Sequence, residues 1–184
     1  TRTFSSAASD VYKRQNLSNA DFTSARVSYV NFTDANLENV NFGSARLTNV
    51  NFVGANLTNS KIFDVNAFLQ HAKFSPIHVN TDMYRQRILH TSMQGVTMES
   101  RQIHESSFMG SDFSGGNFQY SDFEGTSFYR ANLEGSNLTN TDLRYTYLNA
   151  ANLKDADLTG SDLRHAKTLK TKFEGANLKN ALVS

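Results

Sequence analysis

The chain has 184 residues, no cysteine, eighteen basic and seventeen acidic side chains, and a formal net charge of +1. This composition excludes a disulfide framework, a thiolate metal site and a cysteine nucleophile, and it leaves no global field to steer nucleic acid or other polyanions. No apolar run approaches membrane-spanning length, so a single non-membrane domain is expected.

Residues 1–15 lie outside the pattern that fills the rest of the chain. They lack an initiator Met and the apolar core of a secretory signal. The string SSAASDVYKRQ, Ser5 to Gln15, resembles a translated sequencing adapter. This segment is expected to be an artefact or disordered, with the natural N-terminus missing and a cytoplasmic location.

From residue 16 to 62 a large apolar residue returns every five positions, at Leu17, Phe22, Val27, Phe32, Leu37, Phe42, Leu47, Phe52, Leu57 and Ile62. Two places before each centre stands a small residue, mainly Ala or Val. On a helix, steps of five rotate by about 140° each and smear the centres around the cylinder. On a flat strand an odd step sends successive centres to opposite faces. A chain that turns a corner every five residues keeps every centre inside, and four right-angle corners return it over its start. The period of twenty that this requires is present. Ala25 to Ser44 reads ARVSYVNFTDANLENVNFGS and Ala45 to Asp64 reads ARLTNVNFVGANLTNSKIFD, repeating Arg26 at Arg46, Val30 at Val50, Asn31 at Asn51 and Asn36 at Asn56.

Between Phe63 and Thr81 no period is sustained, the single Pro76 appears, and the repeat restarts one residue out of register. Residues 63–81 are read as an irregular insertion or degenerate coil. Asn66 to Phe74 suggests a short helix with Phe68, Leu69 and Ala72 on one side. Phe68 and Leu69 are candidate partner contacts, because long loops on rigid scaffolds often carry function.

Residues 82–184 resume the pattern at Met83, Ile88, Met93, Met98 and Ile103, and it continues to Val183. The inward core is expected at Phe108, Phe113, Phe118, Phe123, Phe128, Leu133, Leu138 and Leu143, each two places after Ser, Gly, Thr or Ala. The units of both blocks amount to about eight coils, a rod roughly 40 Å long at the spacing of paired strands. The chain is still in register at Ser184, which suggests truncation or a second chain covering the end.

The motif small, Asn or Asp, Leu, any, any resembles that of the pentapeptide-repeat family, A(D/N)Lxx. It is matched by Ala131-Asn132-Leu133, Ala151-Asn152-Leu153, Ala156-Asp157-Leu158 and Ala176-Asn177-Leu178. The resemblance implies an all-β fold, a right-handed quadrilateral β-helix, and a scaffold rather than an enzyme, with diverse roles. It also implies a monomer or an end-to-end dimer.

The twenty-residue period sorts the outward residues by face. Leu89, Met109, Tyr129 and Leu169 follow the centres of one face, with Tyr147 beside them, and form a candidate contact stripe. Asp82, Asp122, Asp142 and Asp162 stack just before the centres of a neighbouring face, interrupted by Gln102. Such a row either bonds local backbone amides or imitates a line of DNA phosphates, as the quinolone-resistance members of the family resemble DNA and bind gyrase. Against a continuous acidic rod, residues 164–184 carry five basic side chains and one acidic. The five histidines show no zinc-type spacing, and no acid/base pair or nucleophile stands in a recognisable setting. The expectation is a non-catalytic protein-interaction scaffold without cofactor, metal or direct nucleic-acid contact. A DNA-mimicking modulator of gyrase is the alternative.

Overall fold

The protein is described by a computed structural model that covers residues 2–5, 10–63 and 68–184. Most corners of the chain come from the second residue after a centre, whose backbone is left-handed. Asn19, Asn39, Gly95 and Gly115 are examples, with φ between 58° and 65°. Glycine and asparagine reach this region at least cost. Where Asn or Asp precedes a centre, it locks the same bend by accepting the backbone N–H two residues on: Ser18 donates to Asn16 Oδ1 at 3.1 Å, and Gly43 to Asn41 Oδ1 at 2.9 Å. The polar position of the motif is therefore a turn device.

Nine short strands result among the described residues: β1 (Thr3–Ser5), β2 (Arg26–Ser28), β3 (Arg46–Thr48), β4 (Asn51–Phe52), β5 (Phe68–Gln70), β6 (Lys73–Phe74), β7 (Met83–Tyr84), β8 (Arg87–Leu89) and β9 (Ile103–His104). On the first wall β1, β2, β3, β5 and β8 pair in parallel in that order. Single bridges carry the column from Arg87 through Ser107, Ser127 and Tyr147 to Lys167. The second wall runs from Asn31 through Asn51, Lys73, Ser92 and Asp112 to Lys172. The third wall holds Asn16, Asn36 and Asn56, then His78, Thr97 and onward to Asn177. The fourth holds Asp21, Asn41 and Lys61, then the β7–β9 pair and the row from Gln102 to Leu182. Four walls around one core make a quadrilateral β-helix.

Every residue expected inside from Phe108 to Leu143 is at most 1% exposed. Successive coils stack like on like, with Phe22 on Phe42 at 5.2 Å, Phe32 on Phe52 at 5.4 Å and Phe52 on Phe74 at 5.1 Å between ring centroids. Neighbouring centres meet edge to face, for example Phe118 and Phe123 at 5.7 Å, an arrangement favoured by the ring quadrupole, while Phe108 and Phe128, one coil apart, are tilted at 5.3 Å. Hydroxyls at the small position of the later coils are buried yet satisfied. Thr126 Oγ1 donates to the Ile103 carbonyl at 2.7 Å and Thr141 Oγ1 to the Phe118 carbonyl at 3.0 Å, which removes the cost of desolvating them.

Of the readings open for residues 63–81, residues 68–81 take that of a degenerate coil, set in a third frame, and the expected short helix does not form. Leu69 is fully buried, Ala72 is 1%, Phe74 6% and Val79 2% exposed. The step from Ile62 to Leu69 is seven residues and the step from Val79 to Met83 is four, so two extra residues and one missing residue together give the slip of one. Asn66 and Ala67 of the expected helix lie outside the described residues. In the rest of it, strand pairing to β3 and β8 on the first wall and β4 on the second replaces helical hydrogen bonds, because nine residues nucleate a helix poorly while the coil buries Leu69 and Phe74. The start of the chain also departs from expectation: β1 pairs with β2, and Phe4 packs edge to face on Phe22 at 5.0 Å, covering the first coils.

Candidate functional site

The first wall and the corner before it carry the candidate contact surface. Leu89, expected at its surface, is only 7% exposed and sits in the ladder beside Gln70. Leu69 is interior, so it makes no outward contact. Phe68 is half-buried beneath two cations, with the Arg46 guanidinium 4.4 Å and that of Arg87 5.3 Å from its ring. Met109 and Tyr129 are half-buried, Tyr147 is 44% and Leu169 71% exposed. The expected stripe is thus open only in its later coils.

There it gains members that the sequence reading missed. Tyr145, 50% exposed, stands at the corner two residues before Tyr147 and stacks on His165 at 4.9 Å. Lys167 Nζ lies 4.8 Å from the Tyr147 ring, and the Arg130 guanidinium 5.1 Å from that of Tyr129. Tyr145 has φ 57°, and Gly125 turns the same corner one coil earlier. A tyrosine in left-handed backbone is strained by about 1–2 kcal/mol relative to glycine. An aromatic residue where the motif prefers Gly or Asn was the available signal.

The later half of the acidic row is paired from within by two arginines. Arg144 Nη2 lies 2.6 Å from Asp142 Oδ2 and 3.3 Å from Glu124 Oε2, and Arg164 Nη2 lies 2.7 Å from Asp162 Oδ2. His104 Nε2 is 2.9 Å from Asp122 Oδ2, although not in line for a hydrogen bond. Asp82 Oδ1 accepts the Gln102 N–H at 2.9 Å. Hydrogen bonding from Arg164 holds the Asp162 carboxyl below the usual range, and hydrogen bonding to Asp142 holds the Arg144 guanidinium above its own. Carboxylate oxygens of Asp122, Glu124 and Asp142 converge within 4.8 Å of one another, but the Arg144 guanidinium already supplies the cation at Glu124 and Asp142. The row therefore serves turn locking and local charge pairing. Among the described residues no helix is long and apolar enough to cross a membrane.

A family model described as pentapeptide repeats matches in eight copies over residues 16–39, 28–62, 106–144 and 142–181. No curated protein matches the sequence significantly. Among solved structures, a pentapeptide repeat protein from the Arabidopsis thaliana thylakoid lumen is 28% identical at TM-score 0.49, with 50% of this chain covering 64% of that one. QnrB1, a plasmid-mediated fluoroquinolone resistance protein, is 16% identical at TM-score 0.44, over 92% of this chain and 87% of that one. HetL, a pentapeptide repeat protein involved in heterocyst differentiation regulation from Nostoc sp. strain PCC 7120, is 21% identical at TM-score 0.39, over 91% and 87%. With its family-model matches spanning more than half of the sequence and its five-residue units forming the walls, the chain belongs to the pentapeptide-repeat family.

Proposed function

We propose that the protein is a non-catalytic scaffold that holds another protein against the tyrosine patch of its later coils. The observation that carries this reading is Tyr145, a large exposed ring kept in left-handed backbone beside Tyr147. Strain held at an exposed position is a reason to look for function there, and tyrosine is enriched at contact hot spots. Lys167 and Arg130, each over a ring of the patch, favour a partner surface with acidic groups. Imitation of DNA toward gyrase loses its main support, because Arg144, Arg164 and His104 sit within the acidic row.

The test replaces Tyr147 with a photo-crosslinking phenylalanine analogue and exposes the full chain to lysate. The expected result is a discrete adduct that excess unlabelled protein suppresses and excess Tyr145→Ala/Tyr147→Ala protein does not. Equal suppression by both competitors, or no adduct, removes the reading.

A further inference from the structure

We propose that a breach in the third and fourth walls is a slot that accepts an extended peptide strand. This place is distinct from the tyrosine patch and shares with that reading only the idea of a polypeptide ligand.

The breach begins at Pro76. In the column of corners that includes Asp34, Gly54, Gly95 and Gly115, all with φ between 57° and 72°, the intervening coil places Pro76. The pyrrolidine ring fixes φ near −65°, so this corner does not take the left-handed bend. The Gly54 N–H bonds Ser75 Oγ at 2.8 Å rather than a carbonyl of the next coil. Beyond that corner the two coils part. Asn56 is bridged to Asn36 on one side and His78 to Thr97 on the other, but Asn56 and His78 are not bridged to each other, and Lys61 is bridged only to Asn41. The first and second walls stay paired through β3–β5 and β4–β6. The opening is therefore a wedge hinged on two intact walls.

Three observations give the slot its ligand chemistry. First, Leu37 and Asn39 donate their N–H groups to the carbonyls of Asn56 and Thr58. Their equivalents one coil on, the N–H groups of Leu57 and Asn59, have no acceptor among the described residues, and neither the Ala55 carbonyl nor the His78 N–H has a hydrogen-bond partner among them. Second, Leu57 is the one core centre between Phe22 and Leu163, among the described residues, that is only half-buried. Third, Ser60 Oγ is buried without a partner. These groups border a cleft of about 380 Å³ whose apolar floor includes Ile62, Ile77 and Val79.

Unpaired backbone groups in strand register call for a ligand that offers N–H and C=O at the same pitch, and the half-covered Leu57 calls for one apolar side chain on it. An extended peptide with a central leucine supplies both, by strand addition to an open edge. It takes the place that a paired coil would fill.

The test titrates the full, isotopically labelled chain with the peptide acetyl-GSNLTNG-amide and with the same peptide N-methylated at its leucine. The expected result is a saturating shift of the Leu57 and Asn59 amide signals with a dissociation constant below about 1 mM, slower exchange of both amides, and binding at least about tenfold weaker for the N-methylated peptide. No shift at several millimolar, equal binding of the two peptides, or amides already protected in the free protein overturns the slot. Shifts confined to Tyr145 and Tyr147 overturn it too, while leaving the tyrosine-patch reading intact. Conversely, loss of the photo-adduct at the patch leaves the slot standing.

Discussion

Tyr145 turns a corner that Gly125 turns one coil earlier, and the difference between them is a prediction. At φ 57° a tyrosine is held in backbone that asparagine occupies more readily. Tyr145→Asn is expected to leave stability unchanged or raise it by up to about 1 kcal/mol, and to weaken the photo-adduct at position 147. Urea denaturation and crosslinking of the same preparation check the two halves. A clear loss of stability would mean that stacking on His165, at 4.9 Å, outweighs the strain. At this scale the sequence was only partly legible. The spacing Asp142-x-Arg144 and Asp162-x-Arg164 was in view, and it announces pairs in which the guanidinium folds back on the carboxylate. Reading the aspartates alone as a row left out the side chains that neutralise them. Leu89 was misplaced for another reason: alternation along the wall marks it outward, but its neighbours in the stack cover it, and no spacing rule reports what covers a residue.

The coil from Phe68 to Thr81 shows the same limit at the level of elements. A five-residue period survives two interruptions, but only if the frame is allowed to move twice. Leu69, Phe74 and Val79 keep the step of five between themselves, and a reading that admits one shift sees an irregular insertion or degenerate coil in their place. The coil makes opposite demands on two adjacent residues. Leu69 is fully buried, so Leu69→Ala is expected to lose about 2–5 kcal/mol. Phe68 faces Arg46 and Arg87 on the outside, so Phe68→Ala is expected to lose only about 0.5–1 kcal/mol. Thermal or urea unfolding of the two variants measures the contrast. Equal, small effects would return the segment to the status of a loop. What drives the coil is pairing on the first and second walls together with burial of Leu69 and Phe74, whereas a helix over the same residues would have to form against its own nucleation cost.

Over the whole molecule, stability in a solenoid is a sum of coil terms and nearest-neighbour interfaces, so one weak interface divides the rod. Between the coil ending at Ile62 and the coil beginning at Leu69, two walls are paired and two are not. All interfaces from Thr97 to Asp157, by contrast, continue on the third wall without a gap. The coils on the two sides of the breach therefore share fewer backbone hydrogen bonds than the paired coils of the later block. Native-state hydrogen exchange followed by mass spectrometry is expected to show residues 16–62 opening as a unit at lower denaturant than residues 96–160. Within the first unit, the segment 55–61 should exchange fastest, because Leu57 and Asn59 donate to no acceptor among the described residues and local opening there breaks least. The continuous Phe and Leu core from Phe108 to Leu158 should exchange last and together. A single cooperative transition across both blocks would mean that the first and second walls alone couple them fully, and that the wedge at Pro76 is a surface feature with no mechanical consequence.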